Sequence, residues 1–120
     1  MLRDDRVRVT TIGRSDKKRI MEFAITRKGD TVTLKVAGEL DALTVTNLRP
    51  RVDALALEEP PRVIVDLGAL RLVDSSGVGA IVSLFKRVRA YGGQFEVKDV
   101  QGQPLSVFKV LRLDRVFQLP

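Results

Sequence analysis

The sequence predicts an α/β domain, a mixed β-sheet covered by α-helices, on three observations. Stretches with the two-residue period of strands alternate along the chain with stretches at helical spacing. Val63-Ile64-Val65-Asp66-Leu67 is an apolar, β-branched run that reads as a buried strand. Val78, Ile81, Val82, Leu84, Phe85 and Val88 then fall on one apolar helical face that stops at Gly92-Gly93. That order requires crossovers, right-handed between parallel neighbours. With 120 residues, 44% of them hydrophobic, the chain makes a single domain able to bury a core without staples.

Taken in order, Phe23, Ile25 and Arg27 begin a first strand, Lys28-Gly29-Asp30 turns, and Val32, Leu34 and Val36 alternate with Thr31, Thr33 and Lys35 in a second. Together they read as a hairpin with one polar face. Gly38-Glu39-Leu40-Asp41 ends it. Leu48, Val52 and Leu55 give a helical stripe starting around Thr44 to Thr46, with Pro50 either near the first turn or kinking it. Glu59-Pro60-Pro61 closes that helix, and the buried strand begins at Arg62. Past the glycine pair, Phe95 and Val97 alternate as another strand, Leu105, Phe108, Val110 and Leu111 suggest a short helix, and Val116, Phe117 and Leu119 read as a strand-like tail.

Composition removes several kinds of chemistry. The chain has no cysteine and no histidine, which excludes disulfides, thiolate metal sites and an imidazole base; no metal or other cofactor is expected. No apolar run reaches the length of a membrane span, and the N-terminus lacks the apolar core of a signal peptide, so a soluble, cytoplasmic protein is expected. The net charge of +6 is concentrated: Arg3, Arg6, Arg8, Arg14, Lys17, Lys18 and Arg19 face only Asp4, Asp5 and Asp16 in the first twenty residues. Residues 1–20 therefore read as a basic, flexible extension and 21–120 as the domain, although Val7–Ile12 also has the alternation of a strand. At 5% aromatic residues, stacking platforms are too few to make nucleic acid the main target.

Asp74-Ser75-Ser76-Gly77 joins the buried strand to the long helix and so offers two hydroxyls at a helix start. Unpaired N–H groups and the positive end of the helix dipole favour an anion there. The plain structural alternative is that Ser75 or Ser76 caps the helix, a contribution of about 1 kcal/mol, with Asp41 and Asp74 as helix-start or turn carboxylates. A hydrolase is a poor fit, because Lys86 lies too far along the helix to act as base and no glycine precedes the serine as in a nucleophile elbow. No Lys-Ser or Lys-Thr pair follows Gly77 and Gly79, so a P-loop is also excluded. Asp66 lacks the acidic pair of a phosphoacceptor receiver and reads as a loop carboxylate capping local backbone.

The words Gly38-Glu39-Leu40-Asp41 and Asp74-Ser75-Ser76-Gly77, in this order of elements, resemble STAS-domain proteins of the anti-sigma-factor-antagonist type. The resemblance runs from about Met21 to Phe117 and is strongest from Arg62 to Gly93. It implies a STAS-like fold and a regulatory protein rather than an enzyme. It also implies Ser75 as phosphoacceptor, with Ser76 second, and a partner surface of Asp41, Asp74, Ser75, Ser76 and Gly77. By that pattern the unphosphorylated form binds an ATP-dependent anti-sigma serine kinase and frees a sigma factor. Phosphorylation separates the complex, and a PP2C-type phosphatase resets it. A homodimer is compatible with the pattern. The alternative is a STAS subunit that is never phosphorylated and regulates a transporter or scaffolds a complex. Two departures stand out: Arg112 replaces the glycine often found after the third helix, and a helix after the last strand is missing.

Overall fold

Two crossovers made in the same direction decide which side of the sheet is covered. In a computed structural model, the backbone is described for residues 4–12 and 18–119 and the side chains for 20–119. The elements are β1 (Asp4–Ile12), β2 (Lys18–Lys28), β3 (Thr31–Leu40), α1 (Val45–Leu57), β4 (Arg62–Asp66), β5 (Leu70–Val73), α2 (Ser75–Ala90), β6 (Gln94–Lys98), α3 (Gly102–Val110) and α4 (Leu113–Val116). The sheet runs β1-β2-β3-β4-β6, with β5 pairing β3 beyond β4. β1, β2 and β3 are antiparallel to one another, whereas β4 and β5 lie parallel to β3, and β6 parallel to β4. Because β3 to β4 and β4 to β6 step the same way across the sheet, right-handed connections put α1 and α2 on one face.

The core is the layer between that face and the two helices. Met21, Phe23 and Ile25 of β2, Val32, Leu34 and Val36 of β3, and Val63 and Val65 of β4 are all buried, as the two-residue period requires. Leu48, Val52 and Leu55 of α1, and Val78, Ile81, Leu84 and Val88 of α2, close over them. Pro50 lies inside α1, but it and Thr46 are both exposed, so the helical bond it forfeits is left to water.

Three expectations are corrected here. The segment read as a flexible basic extension contains β1, which pairs with β2 from Asp4 opposite Thr26 to Ile12 opposite Lys18. Val7 and Val9 stand opposite the buried Phe23 and Met21, and β1 supplies backbone partners to an edge that β2 would otherwise leave open. β2 accordingly begins at Lys18, so a boundary at residue 20 falls inside a strand. The tail read as a strand is helical instead: α4 ends at Val116, and the Phe117 N–H donates to Leu113 O at 2.9 Å. This turn drops Phe117 between Phe85 and Phe108, with ring centroids at 5.2 and 5.8 Å. The short strand β5 interrupts the loop expected between β4 and α2; its pattern of buried ends and exposed middle has no alternation to betray it.

Two positions carry unusual backbone. At Gly38 the register of β3 against β5 shifts before Glu39; φ is +87° and a Cβ would stand 2.1 Å from Ile20 O. Arg112 adopts φ 59° and ψ 23° between α3 and α4. Gly38→Ala should cost more than about 2 kcal/mol in urea unfolding, since neither backbone can yield. Arg112→Gly should instead stabilise the domain by up to about 1 kcal/mol, by relieving a left-handed arginine on an exposed turn.

Candidate functional site

The serine loop is held by Asp74, and the capping role is therefore not a serine's. Asp74 is the N-cap of α2 in extended conformation; its Oδ1 accepts from Ser76 N–H at 2.9 Å and Gly77 N–H at 3.1 Å. Its Oδ2 accepts from Ala42 N–H at 3.0 Å, in the loop that enters α1. The Asp74 N–H donates to Leu40 O at 3.2 Å, at the end of β3. One carboxylate thus ties the starts of two helices to the sheet end between them.

The entry to α1 is built the same way. Asp41 Oδ1 accepts from the N–H groups of Leu43 and Thr44 at 2.9 and 3.0 Å, and its own N–H donates to Thr44 Oγ1 at 2.9 Å. Thr44 is fully buried, and its hydroxyl donates onward to Glu39 O at 2.9 Å, so this buried hydroxyl is paired.

The structure brings Asp41, Asp74, Ser75 and Ser76 to one end of the domain and separates their roles. Ser75 is the first residue of α2 and exposed, and among the described residues its hydroxyl has no hydrogen-bond partner. Ser76 is half-buried. Gly77 is buried: a Cβ there would stand 2.7 Å from Val73 Cγ2, 2.8 Å from Leu40 Cγ and 2.9 Å from Leu40 O. The missing side chain lets α2 lie directly on β3 and β5. Asp66 caps its own turn, accepting from Gly68 N–H at 2.9 Å.

Sequence reasoning missed Gln103 of α3. Its Oε1 accepts from Val73 N–H and its Nε2 donates to Val73 O, both at 2.9 Å, so a side chain completes the strand bonding of the residue before Asp74. Gln101 Nε2 donates to Gly68 O at 2.9 Å, at the other end of the same segment. No periodicity signals such a contact, because both glutamines look like surface residues at a helix start.

Among the described residues no group of three or more acidic side chains gathers as a metal site, and no helix is long and apolar enough to cross a membrane. What the geometry defines is a small α/β module that presents a free serine hydroxyl on a fixed helix start. Residues 22–120 match the STAS domain model, and the chain belongs to that family. Among curated relatives it is 29% identical over 87 residues to the anti-sigma F factor antagonist of Paenibacillus polymyxa, covering 72% of each chain. The crystal structure of an anti-sigma factor antagonist from Mycobacterium paratuberculosis superposes with a TM-score of 0.71 at 20% identity, over 82% of this chain and 84% of that one. The Bacillus cell fate determinant SpoIIAA in its phosphorylated form superposes with a TM-score of 0.65 at 23% identity, over 78% and 86% of the two chains. These similarities show the STAS fold that the sequence implied.

The clamp makes a direct prediction. Asp74→Ala should lower unfolding free energy by about 1–2 kcal/mol in urea melts. Asp74→Asn should fall between, since its amide oxygen can still cap α2 while its NH2 meets the Ala42 N–H.

Proposed function

We propose that the protein is an anti-sigma-factor antagonist that works as a phosphorylation-controlled partner switch in the cytoplasm. Its unmodified form binds an anti-sigma serine kinase through the end of the domain carrying Asp41, Asp74, Ser75, Ser76 and Gly77, and so frees the sigma factor. Phosphate on Ser75 separates the complex, and a PP2C-type phosphatase restores the free hydroxyl. The observation that carries this reading is the division of labour at the start of α2: Asp74 caps the helix, which leaves the Ser75 hydroxyl exposed and uncommitted. Family membership and the anti-sigma antagonists among its relatives support it, and one structural relative is known in a phosphorylated form.

The physics suits a switch at an interface. A phosphate brings about −1.5 to −2 charges, and at this position it stands beside the Asp74 carboxylate. The free domain tolerates that charge, because the first turn of α2 presents its positive end. In a packed complex the same charge must be desolvated against a surface shaped for a hydroxyl. Only about 4 kcal/mol of lost binding is needed for a thousandfold change in affinity.

Incubation with ATP and a cognate anti-sigma kinase, followed by mass spectrometry, should place phosphate on Ser75 and none on Ser75→Ala, with Ser76→Ala still modified. Phosphate on Ser76 alone would reject the assignment. Ser75→Asp should weaken kinase binding at least tenfold in calorimetric titration while its unfolding free energy changes by no more than about 1 kcal/mol. Unchanged affinity would contradict the electrostatic account.

A further inference from the structure

Arg49 and Asp53 stand one turn apart on α1, a spacing at which such residues ordinarily pair. Here Asp53 is taken by α2 instead: its Oδ1 accepts from Arg87 Nη1 at 2.6 Å. Arg49 is left exposed, without an ion pair or hydrogen bond among the described residues. Its guanidinium lies over Gly79 of α2, with Nη2 3.9 Å from the place a Cβ would occupy. Gly79 follows Ser75 by four residues, so the two positions are neighbours on one helix face, about 5–6 Å apart. No side chain at Gly79 stands between the guanidinium and the first turn. Both helices start at the Asp74 clamp, and helical side chains lean toward their own N-terminus, so the natural reach of Arg49 is toward Ser75.

We propose that Arg49 is a built-in counter-ion for a phosphate on Ser75, bridging α1 to α2 across the open position at Gly79. This rests on the reading of Ser75 as phosphoacceptor. The other charges at this end are already engaged: Asp74 with three backbone N–H groups, Asp41 with those of Leu43 and Thr44, and Glu39 with Arg71. A guanidinium offers two parallel donors to phosphate oxygens, the geometry that an ammonium lacks. Modification therefore does two things at once. It adds negative charge beside Asp74, and it engages an arginine of α1 that is otherwise unpaired among the described residues.

The test uses the full chain with phosphoserine incorporated at position 75 during synthesis, titrated by phosphorus NMR at low salt. An opposite charge favours the dianion, so the second phosphate pKa, ordinarily near about 6, should lie lower in the phosphorylated protein. In Arg49→Ala it should rise by about half a unit, and in Arg49→Lys by less. Arg51→Ala, on the other side of α1, should leave it in place, and about 1 M salt should erase the difference between the wild type and Arg49→Ala. Coincident titrations of the wild type and Arg49→Ala at low salt, or an equal rise in Arg51→Ala, would overturn the proposal. Because the phosphate is built in, a kinase that ignores Ser75 would reject the functional reading and leave this titration unaffected.

Discussion

The carboxylate of Asp74 is the constraint on which the rest of this end of the molecule depends. Two helices begin here, and each would otherwise expose a set of unpaired N–H groups. Asp74 satisfies the start of α2 with one oxygen and anchors the approach to α1 with the other, while its backbone N–H ties the corner to the end of β3. Gly77 makes that arrangement sterically available, since no other residue lets α2 come so near Leu40 and Val73. The consequence for chemistry is indirect. With the cap supplied by an aspartate, the serine that follows is not needed for stability.

The same corner is braced from behind. Gln103 bonds both backbone groups of Val73, and Gln101 holds Gly68, so α3 fixes both ends of the segment that carries β5. A four-residue strand has few ladder bonds of its own, and side-chain amides complete it. Phe117, set among Phe85, Phe95 and Phe108, then seals the far side of the core where α4 turns back. The site end is thus rigid through polar contacts to backbone, and the opposite end through aromatic packing.

What the sequence disclosed follows from how each feature is encoded. Val63 and Val65, the α2 stripe and the start of α1 at Val45 were legible because burial imposes a period that residue types record directly. β5 was not, because Arg71 and Leu72 are both exposed in its middle and the strand is defined by pairing alone. β1 was judged by its charge, yet its pairing depends on backbone groups and on the register opposite Met21 and Phe23. At the site the motif was found, but not which of its members did what. Asp74, Ser75 and Ser76 are all good capping residues, and only the extended backbone at Asp74 decides among them. The isolation of Arg49 was equally hidden, since it follows from Asp53 choosing Arg87 across the helix pair.

Control by surface charge, without refolding, is the central claim of this account. The measurement that tests it most directly compares amide NMR spectra of the free chain with and without phosphoserine at position 75, beside calorimetric affinities of both forms for a cognate anti-sigma kinase. The account predicts shift changes confined to the start of α2 and the facing part of α1, together with a loss of affinity on the order of a thousandfold. Shift changes spreading across the sheet, or equal affinities for the two forms, would contradict it.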